Sequence, residues 1–357
     1  MNMLSRKNTN SLREATAYAF LAAALYALNM PFSRLLLGSV EPLYMAAFLY
    51  LGAGLGMLGM WVLRTKPKGR VFAPIEKDEK PYILGMVLLD ILAPALLMFG
   101  LRSTLAANAS LLNNFEIVAT SLIALLLFKE AISRRLWIGI GLVTLASVLL
   151  SMESFSAFRF SSGSLLILAA STAWGLENNF TRKLSNRASS DIVIIKGIGS
   201  GFGSLILALL TREAFPQVGF ILLTILLGFV AYGLSINYYV KAQMQLGAAK
   251  TSAYYAVAPF LGVIFSLLIF RALPLPTFWV GLILMAAASW FLVTDTISIQ
   301  HTHPHTHTKM VVKRRGDDLL PEMIEYSHTH FHAHQRENEE DHDHSHPSDA
   351  GNDPAGS

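Results

Sequence analysis

The chain has 357 residues, 53% of them hydrophobic and only 15% charged, with a formal net charge of +4. That balance and a positive mean hydropathy exclude an ordinary soluble domain. Cysteine is absent, which excludes disulfides and thiolate metal sites.

Residues 1–14 read as a short basic N-terminal segment carrying Arg6, Lys7 and Arg13. The apolar stretch that follows is too long for a cleavable signal, so it reads as a retained first span. From there to Thr296, stretches of about 20 apolar residues recur, each long enough to cross the hydrocarbon core as a helix. Ten are expected, over 15–37, 42–63, 81–101, 105–128, 134–152, 162–182, 190–211, 216–240, 247–270 and 276–297. The expected fold is therefore an all-α polytopic membrane bundle, because backbone groups in lipid must be satisfied within each segment. The glycine runs at 51–59 and 197–203 read as close-packing surfaces, not phosphate loops, since neither follows a strand.

Sidedness follows from the basic residues. With the N-terminus inside, seventeen Lys and Arg fall in inside segments, and only Arg102, Arg159, Arg212 and Arg271 fall outside. Both termini are expected in the cytoplasm of a cell (inner) membrane protein. The positive charge thus reflects topology and gives no reason to expect nucleic acid as a partner.

Five ionisable residues lie within the spans: Arg34, Asp90, Glu116, Glu177 and Lys196. Arg34 and Lys196 are near span ends, where long side chains can snorkel to the headgroups. Asp90 and Glu116 sit near mid-span and are expected to face the bundle interior. Pro94 beside Asp90 suggests a broken helix whose freed carbonyl would be the local partner. At 100° per residue, Ser110, Asn113, Glu116 and Thr120 share an arc of about 120°, and Trp174, Glu177, Asn178 and Thr181 one of about 100°. Two polar walls are expected. Asp90, Asn113, Glu116, Trp174, Glu177 and Asn178 are accordingly the candidate substrate- and proton-binding residues, whereas Asn108, Asn179 and Asn237 read as interhelical hydrogen-bond glue.

The chain also matches itself. A shift of 148 lays LYALNMPFSR (25–34) on AWGLENNFTR (173–182), and a shift of 142 aligns Ala106, Ser110, Phe128, Trp137 and Gly139 with Ala248, Ser252, Phe270, Trp279 and Gly281. Two repeats of five spans, 15–155 and 156–297, follow. An odd span count inverts the second repeat in the membrane relative to the first.

These features, with LAANASLLNNFE (105–116), LGAAKTSAYYAVAP (246–259) and LLLFKE (125–130), resemble the EamA-type transporters of the drug/metabolite transporter superfamily. NNFEIVATS and ENNFTR resemble a subgroup with histidine-rich ends. The chain departs from the family pattern at Ile117, where a proline is common, and at Tyr26-Ala27, which stand for Trp-Gly. The resemblance implies a carrier of small molecules.

Residues 298–357 form a polar tail holding all 11 histidines. They fall in three alternating clusters: His301, His303, His305 and His307; His328, His330, His332 and His334; His342, His344 and His346. Such spacing suits Zn, Ni or Co ions, although no cofactor is required. Composition predicts disorder there. With no histidine in the membrane part, hydrolase triads and metalloprotease sites are excluded, and no nucleotide-binding loop is present. The expected activity is not enzymatic. It is secondary transport, in the export direction and coupled to protons, of a small cationic or zwitterionic metabolite or drug. A divalent-metal exporter using the tail as collector and a membrane-anchored metal sensor are the alternatives. The small-molecule substrate, the bilayer, a divalent metal ion and a homodimer complete the partners the sequence admits.

Overall fold

The computed structural model describes residues 2–64, 74–128, 132–154, 159–184, 187–246, 248–315 and 318–333. The chain divides into two units, Met1–Thr294 and Asp295–Ser357.

The first unit is helical, and prolines explain where its helices break. Helix α1 (Asn2–Ala27) gives way to α2 (Asn29–Leu36) four residues before Pro31. The proline ring lacks an N–H and collides with the carbonyl of residue i−4, here Ala27. After α3 (Pro42–Arg64) and α4 (Lys80–Ser103) come α5 (Ala106–Leu112) and α6 (Phe115–Phe128). Ile117 stands where a proline would produce the same break, yet the helix still opens at Asn113-Asn114, whose amides compete with the backbone and favour turns. The continuous helical arc expected across Ser110–Thr120 is therefore divided between two segments.

Helix α7 (Arg134–Ser151), capped by Ser133, leads into a short antiparallel pair, β1 (Met152–Ser154) with β2 (Arg159–Phe160). Then follow α8 (Ser162–Arg182), α9 (Ser189–Leu210), α10 (Val218–Gly228), a π-helical turn over Phe229–Leu234, α11 (Ser235–Leu246) and α12 (Ala248–Tyr255). Helix α13 (Ala258–Phe270) is separated from α12 four residues before Pro259, and α14 (Pro276–Ile299) ends the bundle. Pro94 behaves differently: α4 runs through it unbroken, so the expected broken helix at Asp90 is not found.

Among the described residues, nine helical stretches are long and apolar enough to cross a membrane. The chain is an integral membrane protein. The expected span at 162–182 is a 21-residue helix, α8, but its polar residues keep it out of those nine. Large apolar side chains such as Leu63, Leu126, Leu210 and Leu273 point outward and are more than 70% exposed, as lipid-facing residues are.

Packing centres on α3, where Tyr44, Met45 and Leu49 are fully buried. It crosses α9 and α10 at glycines. A Cβ on Gly54 would lie 2.6 Å from the Ile198 nitrogen, and one on Gly228 would lie 2.0 Å from the Leu49 carbonyl oxygen. The two glycine runs thus pack against each other, as close packing requires. Polar clasps mark the two ends of the bundle. At one end Arg102 pairs with Glu41 at 2.8 Å, and Glu213 accepts from the Leu43 and Tyr44 amides at the start of α3. At the other, Arg187 forms a two-pronged pair with Glu79, Nε to Oε1 at 2.7 Å and Nη2 to Oε2 at 2.5 Å.

In the second unit, β3 (Gln300–Arg315) pairs antiparallel with β4 (Asp318–Ala333). This corrects the expectation of an unordered tail over that range. The physical reason lies in the His-Thr alternation: a period of two with β-branched threonine and valine is the pattern a strand follows. His301 stands opposite His332, His303 opposite His330 and His305 opposite His328, while His307 faces Tyr326. His334, His342, His344 and His346 lie outside the described residues.

Candidate substrate and ion site

The helix breaks just described surround a central cavity of about 470 Å³. Its wall combines Tyr26 and Met30 flanking the α1/α2 break, Asn113, Asn114 and Glu116 around the α5/α6 break, and Tyr255, Ala256 and Pro259 around the α12/α13 break. Each break withdraws backbone from the regular ladder, a departure tolerated at membrane depth only where it is buried in protein or lines a cavity. The cavity reaches Asn178 near the end of α8, Val193 near the start of α9 and Tyr239 in α11, towards the end of the bundle held by Arg187 and Glu79.

One wall carries a charged cluster, with Glu177 and Lys196 at the cavity and Asp90 behind them. Lys196 Nζ sits 3.1 Å from Asp90 Oδ2 and 3.2 Å from Glu177 Oε1. Asp90 is completely buried and Glu177 is 1% exposed. Tyr50 Oη donates to Asp90 Oδ1 at 2.8 Å, and the Trp174 indole N–H reaches both Asp90 Oδ1 and Tyr50 Oη at 3.2 Å. Thr181 Oγ1 donates to Glu177 Oε1. Two buried carboxylates thus share one ammonium and several neutral donors, the geometry that lets buried charge persist.

Glu116 is placed differently. Its Oε1 accepts from Asn178 Nδ2 at 2.7 Å. Only half-buried, it has no cation within ion-pairing distance among the described residues. Asn113 Nδ2 donates to Tyr26 Oη at 3.2 Å.

Of the six residues singled out from sequence, Asn113, Glu116, Trp174, Glu177 and Asn178 line the cavity, and Asp90 sits behind it, joined through Tyr50, Trp174 and Lys196. Lys196 corrects the snorkelling expectation: its stem bends inward because two buried carboxylates attract its charge more strongly than the headgroup region. Asp90 takes side-chain partners, not the carbonyl expected near Pro94. Asn108 and Asn179 do act as glue, donating to the backbone oxygens of Leu150, Thr120 and Gly175. Arg34 lines a separate cavity of about 330 Å³ with Ser266 and Phe270. Sequence reasoning missed Tyr50, Tyr232 and Tyr255, since a tyrosine in an apolar span carries no signal of which way it faces.

The model of the EamA-like transporter family matches residues 14–152 and again 161–294. The chain belongs to the EamA-like transporter family. This EamA-like chain is also 26% identical over 270 residues to an uncharacterized transporter of Methanothermobacter thermautotrophicus, covering 70% of this chain and 77% of that protein. A solved crystal structure, described only as that of a protein, superposes with a TM-score of 0.56 at 17% identity, over 80% of this chain and 98% of the other; such a likeness shows the fold alone. Membership makes the EamA-like chain a transporter of the drug/metabolite type, with a small molecule as the suggested cargo.

Proposed function

We propose that the protein is a proton-coupled secondary exporter of a small cationic or zwitterionic solute, working by alternating access. The observation that carries the reading is the Asp90–Lys196–Glu177 cluster beside Glu116, buried at the wall of a central cavity. Ionisable groups at membrane depth mark ion and substrate pathways. Three carboxylates against one ammonium leave the site net negative when all are charged, which attracts a cation and leaves at least one carboxylate able to carry a proton. The family model's two successive matches and the internal sequence alignment support two repeats of five helices with α8 as the tenth span, the second inverted. The basic residues crowding the Arg187–Glu79 end support a cytoplasmic location for that end and for both termini, so the cavity would be reached from the cytoplasm. At the opposite end Leu43, Tyr44 and Leu101 are buried, which supports a conformation open to the cytoplasm.

In this mechanism a proton entering from outside and a solute from inside compete for the same carboxylates. Glu116 faces the cavity and meets the solute, while Glu177 transmits its state to Asp90 through Lys196. The test is pH-jump flux in proteoliposomes with the full chain. Glu116→Gln and Glu177→Gln keep size and most hydrogen bonding, so both are expected to insert and fold yet lose proton-driven flux by about 10²-fold or more, of the order that loss of an essential proton-transfer group produces. Wild-type, pH-independent flux in both variants would sink the assignment.

A second reading has its own observation. Three histidines of β3 stand opposite three of β4 in the backbone register, and imidazole is a common ligand of Zn²⁺, Ni²⁺ or Co²⁺; among the described residues no group is gathered to hold a metal ion. The tail would then collect a divalent ion for export, or report its level. Including Zn²⁺ among the cargoes in the same proteoliposomes separates this reading from the first.

A further inference from the structure

Resting on the transporter reading, the central cavity also carries information about the kind of cation it accepts. Four tyrosine rings form a continuous arc around it: Tyr50 lies 5.8 Å from Tyr232, Tyr232 6.0 Å from Tyr26, and Tyr26 5.8 Å from Tyr255, centroid to centroid. Trp174 adds a fifth aromatic surface. The rings are not merely core filler, because all of them line the open volume and adjoining pairs are tilted at 44°, 85° and 45°. A series of tilted rings curves; a stacked series would not.

Each hydroxyl oxygen is held by a neighbour. Tyr232 Oη accepts from Asn29 Nδ2 at 2.8 Å, Tyr26 Oη accepts from Asn113, Tyr50 Oη donates to Asp90, and Tyr255 Oη shares a 3.4 Å bond with Ser235 Oγ. These bonds fix the rings by their polar ends. What the rings then offer the cavity is π surface. The π-helical turn Phe229–Leu234 places Tyr232 in the middle of this arc, and such turns recur at functional sites in helices. Across the same space stands Glu116, which no ammonium or guanidinium of the described residues neutralises.

π faces attract a cation without asking it to donate hydrogen bonds, and they suit a weakly hydrated one with its charge spread over methyl groups. A primary ammonium brings three N–H donors that need acceptors; with Asp90 and Glu177 occupied by Lys196, only Glu116 and neutral oxygens such as Asn113 Oδ1 remain to receive them. We infer that the site selects quaternary or highly alkylated ammonium cations, held in the tyrosine arc with Glu116 as counter-charge.

The test is calorimetric titration of the full chain in lipid nanodiscs with choline, with its uncharged carbon isostere 3,3-dimethylbutan-1-ol, and with ethanolamine. Choline is expected to bind at least about tenfold more tightly than either. Tyr232→Phe keeps the ring and should retain choline binding within a few-fold. Tyr232→Leu should lose about tenfold or more at an unchanged unfolding midpoint, and Glu116→Gln should lose it too. Equal affinity for choline and ethanolamine, or for choline and the isostere, overturns the inference. So does a Tyr232→Phe variant as impaired as Tyr232→Leu, which would assign the effect to the Asn29 bond. Tight, ring-dependent choline binding without proton-coupled flux would uphold the cage while sinking the transport mechanism. Proton-coupled flux of primary amines with no choline binding would do the reverse.

Discussion

Lys196 is the residue on which the interior charge balance depends. It is 21% exposed at the side chain while its partner Asp90 is 0% exposed, so removing the ammonium leaves two carboxylates facing each other with only neutral donors. Breaking a buried pair from one side costs about 3–5 kcal/mol, because the remaining charge is uncompensated. Lys196→Met is therefore expected to lower the thermal unfolding midpoint markedly, and the double variant Lys196→Met with Asp90→Asn to recover part of the loss. Strict additivity of the two single effects would show that the residues are not coupled. At this scale the sequence was partly legible. Asp90 and Glu116 stand out because short charged side chains have no exit from mid-span, and Glu177 through the polar face it shares with Trp174, Asn178 and Thr181, whereas a lysine two turns from a span end reads equally well as snorkelling.

At the scale of elements, the crossing of α3 with α9 is set by backbone approach at Gly54 and Gly197. A methyl group on Gly54 would fall within 3 Å of the Gly197 and Ile198 backbone, which no rotamer change can relieve. Gly54→Ala is expected to cost about 1–3 kcal/mol, the usual range for overpacking. Gly141, also helical, has nothing within 4 Å of its hypothetical Cβ, so Gly141→Ala should be neutral or stabilise by up to about 1 kcal/mol through helix propensity. Unfolding curves of the two variants in one detergent make the comparison; equal effects would count against the crossing as the cause. The glycine spacing in sequence announced a close contact but not its partner. The breaks beside Pro31 and Pro259 fall inside the continuous spans expected over 15–37 and 247–270, and the break at Asn113-Asn114 has no proline to mark it.

At the largest scale, the helical unit is joined across its polar ends as well as through its core. Arg187, buried to 8% exposure, also donates to the Pro74 carbonyl at 2.5 Å, tying the segment before α4 to the segment before α9. The hydrogen bonds from Arg187 hold the Glu79 carboxyl below its ordinary value of 4.5. A carboxylate with a depressed folded value stabilises fully above the unfolded value, and that contribution is lost as pH falls through the lowered folded value. Hydrogen exchange over residues 74–80 should accordingly be slow at pH 7 and, after correction for intrinsic rates, lose protection as pH drops below about 4.5. In Glu79→Gln it should be fast throughout. Equal protection in the variant and the parent at pH 7 would mean that the clasp does not restrain this segment.

The sequence by itself determined that the chain is a helical membrane protein with two related halves of sequence, and which acids cannot face lipid. Those conclusions follow from hydropathy and from the cost of burying charge, both properties of single residues in a uniform medium. Only the tertiary structure decided which way Lys196 points, that Tyr26, Tyr50, Tyr232 and Tyr255 share one cavity, and that α4 runs straight through Pro94. These outcomes depend on what a neighbouring helix presents at the same depth. Residues as distant in sequence as Asn29 and Tyr232 become partners only when helices separated by most of the chain pack together, and no local pattern encodes that contact.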